Sequence, residues 1–208
     1  MRLIYPFDLP KLPYQFDDMK PYLSEWTMRT HYEVNHLGYV KRVNSIIKDQ
    51  PQYQDQKLAM LLTIVKGKLF NNLAQHFNHV VWWFSLKPPH LTTFDPPTTI
   101  AKMMIRDFGS VNNWRSDFIE KAKNQFGNGW VWLCLENGQL VNVTTSNAGI
   151  PNFIGGKIPL LVCDIWEHAY FCDYTTNRKK YIEGFFNCIN WEMVEARLRG
   201  EDLIFSLY

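Results

Sequence analysis

Asp164-Ile165-Trp166-Glu167-His168-Ala169-Tyr170-Phe171 is the stretch on which the reading of this chain turns. The apolar run before it, residues 158–164, reads as a buried strand that ends at Asp164. His168 follows four residues on, across a strand-to-helix turn. A carboxylate and an imidazole so placed can converge on one cation. The same spacing fits equally well a capping Asp beside a core His whose ring nitrogens are satisfied within the fold.

Working outward, Asn137-Gly138 separates apolar runs at 130–135 and 140–145 and fits a tight hairpin turn. Residues 158–164 are then the third strand of a small antiparallel sheet. Helical patterns at 99–108 and 113–126 precede the sheet, and Gly127-Asn128-Gly129 breaks the chain ahead of it. A short helix around 167–171 and helices at 179–189 and 191–198 follow. The fold class is therefore α+β. The N-terminal half reads differently. Residues 1–20 are proline-rich and aperiodic, an extended arm. From 24 to 48 the pattern is helical, with Ser24 as cap and Met28, His31, Tyr32, Asn35, His36 and Tyr39 at spacings of three and four. The polar segment KDQPQYQDQ connects this to a second long helix over 57–86. The proline-rich run KPPHLTTFDPP then divides the chain into an arm and α-hairpin domain, 1–92, and an α+β C-terminal domain, 93–208, with a three-stranded antiparallel sheet and helices.

Composition bounds the function. A chain of 208 residues suits one large domain or two small ones sharing a core. With a net charge of +2 and no Lys/Arg run, nothing points to nucleic acid. The most apolar stretch, 80–86, is far too short to insert in a membrane. The start MRLIYPFDLP has neither an apolar signal core nor the character of a transit helix. Cys134, Cys163, Cys172 and Cys188 form no CxxC pair and read as reduced, buried thiols. The expected location is intracellular, cytoplasm or mitochondrial matrix. Eight Trp in one small chain suggest an aromatic cavity.

The stretch 164–171 as a whole resembles the signature of the iron/manganese superoxide dismutases, D-x-W-E-H followed by a small residue and two aromatics, and it matches at every position. The resemblance extends along the chain. FDLPKLPY resembles the family's N-terminus, residues 30–40 (THYEVNHLGYV) its first ligand helix, and residues 70–79 (FNNLAQHFNH) its second. Gly127-Asn128-Gly129-Trp130-Val131-Trp132, Ser146-Asn147-Ala148-Gly149 and Asn190-Trp191 match later blocks.

What the resemblance implies is one metal per chain, held by His31, His79, Asp164 and His168 with a solvent molecule in a fifth position. Taken singly, His31 or His79 reads as a His without a ligand role; inside matching blocks, all four read as ligands. Gln75 matches the glutamine that holds this solvent in iron-type members, whereas manganese-type members carry it where this chain has Ala148. Iron is thus expected, with manganese as the alternative. Tyr39 matches the gateway tyrosine of a proton relay, and His36 a neighbouring pocket residue. Trp83, Trp130 and Trp166 would wall the cavity. Arg178 resembles the arginine that draws in the superoxide anion, although by itself it reads as a solvated surface charge. Helix periodicity agrees: His31, Asn35 and Tyr39 recur every four residues, as do Gln75, His79 and Trp83.

The implied activity is redox dismutation of superoxide to dioxygen and hydrogen peroxide by a homodimer, with Glu167 reaching His168 of the partner subunit. There are departures. Asn35 replaces a histidine that contacts Tyr170 of the partner subunit, Lys179-Lys180 replaces Pro-Asp, and Phe77 replaces a Trp. Asn35 and the altered dimer contact fit a second reading, recruitment as a structural subunit of a larger assembly such as a mitochondrial ribosome. The complete ligand set argues against it.

Overall fold

The three strands expected in the second half pair into a single antiparallel sheet, and its register sets the position of Asp164. The computed structural model describes residues 2–152 and 155–205. Strands β1 (Gly129–Glu136), β2 (Gln139–Ser146) and β3 (Lys157–Asp164) lie in the order β2-β1-β3. Asn137 (φ 50°) and Gly138 (φ 78°) make the turn between β1 and β2, as the Asn-Gly pair predicts. On the other side, Trp130 pairs with Asp164. The ladder is irregular between Leu133 and Cys134, opposite Pro159, which has no N–H to donate. Gly129 sits where the chains come closest: a Cβ there would be driven into the Thr145 carbonyl.

The first helical stretch matches its predicted span but not its predicted winding. Helix α1 (Glu25–Thr30) starts at Ser24, whose hydroxyl accepts from the Thr27 N–H at 3.1 Å. It passes into a π-helical segment, His31–His36, and then into α2 (Leu37–Ile47). A π-turn inserts one extra residue per turn. Positions five apart, His31 and His36, therefore both point inward and are buried, while Asn35 is half-buried.

The helix expected over 57–86 is two helices. After a short α3 (Pro51–Gln54) come α4 (Leu58–Ile64) and α5 (Gly67–Ser85). Val65 and Lys66 are extended between them, and Gly67 takes φ +62°. The β-branched run Thr63-Ile64-Val65 is a weak helix former, and only glycine adopts that φ at little cost. Helix α5 runs through the core, with residues 72–83 all buried.

Helices α6 (Thr98–Phe108) and α7 (Val111–Asn124) cover one side of the sheet. Gly109 (φ +84°) ends the first, and the Ser110 hydroxyl caps the second by accepting from Asn113 N–H. Beyond β3 the chain makes a 3₁₀ turn, Glu167–Ala169, and then α8 (Phe171–Tyr174), α9 (Arg178–Phe185) and α10 (Trp191–Leu198). The helix expected at 179–189 gives way to a 3₁₀ turn at Phe186–Cys188. Leu86 bridges to Ile189, which ties the end of α5 to the C-terminal segment. Among the cysteines, Cys134, Cys163 and Cys188 are buried free thiols, but Cys172 is exposed because short α8 lies on the surface. Among the described residues, no helix is long and apolar enough to cross a membrane.

Candidate metal centre

Four side chains from four parts of the chain meet in the interior. His31 comes from the π-turn, His79 from α5, Asp164 from the end of β3 and His168 from the 3₁₀ turn after it. One ligand atom from each lies within 4.8 Å of the others. The Nε2 atoms of His31, His168 and His79 stand 3.1, 3.3 and 3.8 Å from Asp164 Oδ2. His31, His79 and Asp164 are fully buried, and the His168 side chain is 17% exposed.

None of these four inward atoms has a hydrogen-bond partner. Buried polar atoms left so are costly, and four of them on one point are the signature of a cation site. Two of the outer atoms, those of His79 and Asp164, are in contrast tied down, while His31 Nδ1 is itself without a partner. The His79 Nδ1–H donates to the Gln75 carbonyl at 2.6 Å, which leaves the Nε2 lone pair for a metal. Asp164 Oδ1 accepts the Trp166 N–H at 2.8 Å. Electrostatics agree. Burial pushes His31 down to about 4 and His79 well below the usual imidazole value, so both are neutral ligands. Burial alone would raise the Asp164 carboxyl, but the facing His168 and His31 hold it below the usual carboxylate range. Three imidazoles and one carboxylate suit a redox-active first-row metal.

Several of the residues expected around the site lie beside these four side chains. Gln75 lies one turn before His79 and is buried, with Oε1 unpartnered. The Tyr39 ring is 5.4 Å from that of His79, and burial raises its hydroxyl pKa. Trp83 and Trp130 approach His31 and His79 at 4.9 and 5.0 Å, and Trp166 stacks on His168 at 5.5 Å. Both Trp130 and Trp166 donate their indole N–H to the Asn147 carbonyl. His36 stacks on His79 at 5.1 Å.

Other expected residues stand apart from the centre. Glu167 is exposed and, with Tyr170 and Arg178, lines a neighbouring cleft of about 400 Å³. Arg178 is not the solvated charge that its residue type suggests. It is half-buried and donates to the carbonyls of Ala122, Gln125 and Gly127 and to the Tyr170 hydroxyl. Asn35 does not share the tight four-residue row with His31 and Tyr39, because the π-turn rotates it partly outward. Sequence reading passed over Trp82, which packs on His31 at 4.6 Å, and His76, which bonds His36 at 2.8 Å. Two further imidazole or indole side chains beside Gln75, His79 and Trp83 were the available signal.

Comparison with known proteins follows the same outline. The family model for the α-hairpin domain of iron/manganese superoxide dismutases matches residues 6–87, and that for their C-terminal domain matches 96–197. An iron superoxide dismutase of Plasmodium falciparum is 38% identical over 192 residues, covering 92% of this chain and 96% of its own. A manganese/iron superoxide dismutase of Rickettsia bellii is 39% identical over 199 residues, covering 93% and 94%. An iron superoxide dismutase of Coxiella burnetii is 36% identical over 195 residues, covering 93% and 99%. With both halves of the chain matched in order and the metal-binding side chains gathered at one point, this chain belongs to the iron/manganese superoxide dismutase family.

Proposed function

We propose that this protein is an iron superoxide dismutase that binds one iron per chain, with manganese as the alternative metal. The observation that carries this reading is the convergence of His31, His79, Asp164 and His168, each with its inward atom unpaired. Bound iron supplies a ferric/ferrous couple that oxidises one superoxide to dioxygen and reduces a second, with two protons, to hydrogen peroxide. The protein does the rest. His31, His79, Asp164 and His168 would hold the metal. Gln75, buried beside His79, would orient solvent in the pocket through its amide. The Tyr39 hydroxyl, kept protonated by burial, would pass protons inward. Trp83, Trp130 and Trp166 exclude bulk water. His36 supports the ring of His79. Arg178 acts on the anion as part of a fixed wall, since its N–H groups are largely engaged.

The same reading divides the chain at 92/93 and makes it a homodimer, with Glu167, exposed beside a ligand, facing the partner. Asn35 and Tyr170 would lie near that contact. A purely structural subunit would have no need of four converging ligands, so the catalytic reading is preferred. Metal analysis and a superoxide assay on the purified native protein test it. About one iron per chain and dismutase activity are expected, and His79→Ala or Asp164→Ala should lose most of the iron. Native protein that carries only zinc and has no activity would overturn the proposal.

A further inference from the structure

Beside the metal centre lies a chain of three rings that the ligand set does not use. The Trp83 indole can only donate, and its Nε1–H points at His36 Nδ1 at 2.9 Å. His36 Nδ1 must therefore be the bare nitrogen, and the neutral ring carries its proton on Nε2. That Nε2 lies 2.8 Å from His76 Nδ1, which must accept. The order of donors is thus fixed by Trp83: indole to His36, His36 to His76. All three side chains are fully buried. Beyond, the His76 ring packs against Phe7 of the N-terminal arm, with centroids 5.6 Å apart.

His36 in turn lies face to face with the ligand His79, with centroids 5.1 Å apart and planes within 24°. His79 is bonded to the Gln75 carbonyl at one nitrogen, and among the rings that pack on it His36 and His168 lie nearly parallel to it. We propose that His76 is a positioning residue for the metal site: it accepts from His36, fixes the His36 tautomer and plane, and through that stack sets the ring of His79. The proposal rests on the reading of His79 as a metal ligand. Without an acceptor at position 76, the His36 Nε2–H would be buried and unpaired. Moving its proton to Nδ1 would set two donors, His36 and Trp83, against each other. Either way the His36 plane is no longer determined by its ends; removing a group bonded directly to a ligand costs roughly 10–100-fold in metal affinity, and His76, one contact further out, is expected at about the lower figure.

The test compares His76→Leu, which removes the acceptor, with His76→Gln, whose side-chain carbonyl can keep it. In iron-loaded protein, His76→Leu should lose iron to a chelator about tenfold faster than the parent and change the ferric electron paramagnetic resonance spectrum, and His76→Gln should restore both. A parent-like spectrum and parent-like iron retention in His76→Leu would refute the proposal. So would equal effects of Leu and Gln, which would show only a packing role. If His76→Leu does not fold, the nitrogen NMR of ¹⁵N-histidine-labelled parent protein, loaded with diamagnetic zinc, decides. His36 should read as bare at Nδ1 and protonated at Nε2, and the opposite tautomer would overturn the proposal. The tautomer readout does not depend on activity, so failure of the dismutase reading would appear separately, as absence of iron and of activity in the parent.

Discussion

Gln75 shows how one residue can serve a metal site through two different atoms. Its backbone carbonyl accepts the His79 Nδ1–H at 2.6 Å, a bond that any residue in this helix could make. Its side-chain amide, buried with Oε1 unpartnered, is what only Gln or Asn brings. Gln75→Leu should therefore keep the iron, because the backbone bond and all four ligands survive. Activity should fall by about tenfold or more, and the metal's reduction potential should shift, because the group proposed to orient solvent is gone. Iron content, a superoxide assay and redox titration of the same preparation check this. Undiminished activity in Gln75→Leu would mean that another group orients the solvent. At the same scale, Arg178 shows the limit of residue type as a guide. A charge that composition assigns to solvent is spent on three carbonyls at the end of α7 and in the turn after it.

Between elements, Asp107 joins the end of α6 to the β1–β2 hairpin. Its carboxylate accepts from the Leu140 N–H at 2.7 Å and from Arg106 at 2.6 and 2.7 Å, and Arg106 also reaches the Gly138 carbonyl. The hydrogen bond from Arg106, followed by that from Leu140, lowers the Asp107 carboxyl below its usual range despite partial burial. A lowered folded-state pKa means that this stabilisation is present above the unfolded value near 3.9 and is lost as pH falls through the folded one. Asp107→Ala should cost about 1–2 kcal/mol at neutral pH, discounted because half-exposed Arg106 is screened by water. The gap between variant and parent in urea unfolding should shrink below about pH 4. A gap that stays constant down to pH 3 would remove the carboxylate from the account.

At the scale of the molecule, Arg197 binds the two halves together. Its buried guanidinium donates to the Val81 carbonyl and the Ser85 hydroxyl of α5, to the Leu160 carbonyl of β3 and to Asp202. Arg197→Ala should cost about 3–5 kcal/mol, since it leaves a cavity and several buried acceptors unpaired. Thermal unfolding should report it as a lower midpoint; a loss below about 1 kcal/mol would show that water replaces the guanidinium. Assembly belongs to this scale too. The proposed homodimer should persist in sedimentation across a micromolar dilution series, and Asn35→His should leave it equally tight or tighter. A strict monomer would move weight to the structural-subunit reading.

What the sequence alone determined was local or chemical. The Asn137-Gly138 turn, the Ser24 cap and the three strands are short-range consequences of residue type, and the structure shows each of them. The four metal-binding side chains were legible because the motif around Asp164 and His168 carries its chemistry within a few residues and the other blocks match in order. Tertiary structure decided the rest. The π-turn at His31–His36 interrupts a pattern that reads as regular helix, because packing into a common core outweighs periodicity over one turn, whereas the break at Val65-Lys66 has a local cause in the β-branched run before it and in Gly67. The His36–His76 bond joins residues forty positions apart, and Arg178 meets carbonyls more than fifty positions away. Such partners are set by where elements cross, and linear spacing does not encode them.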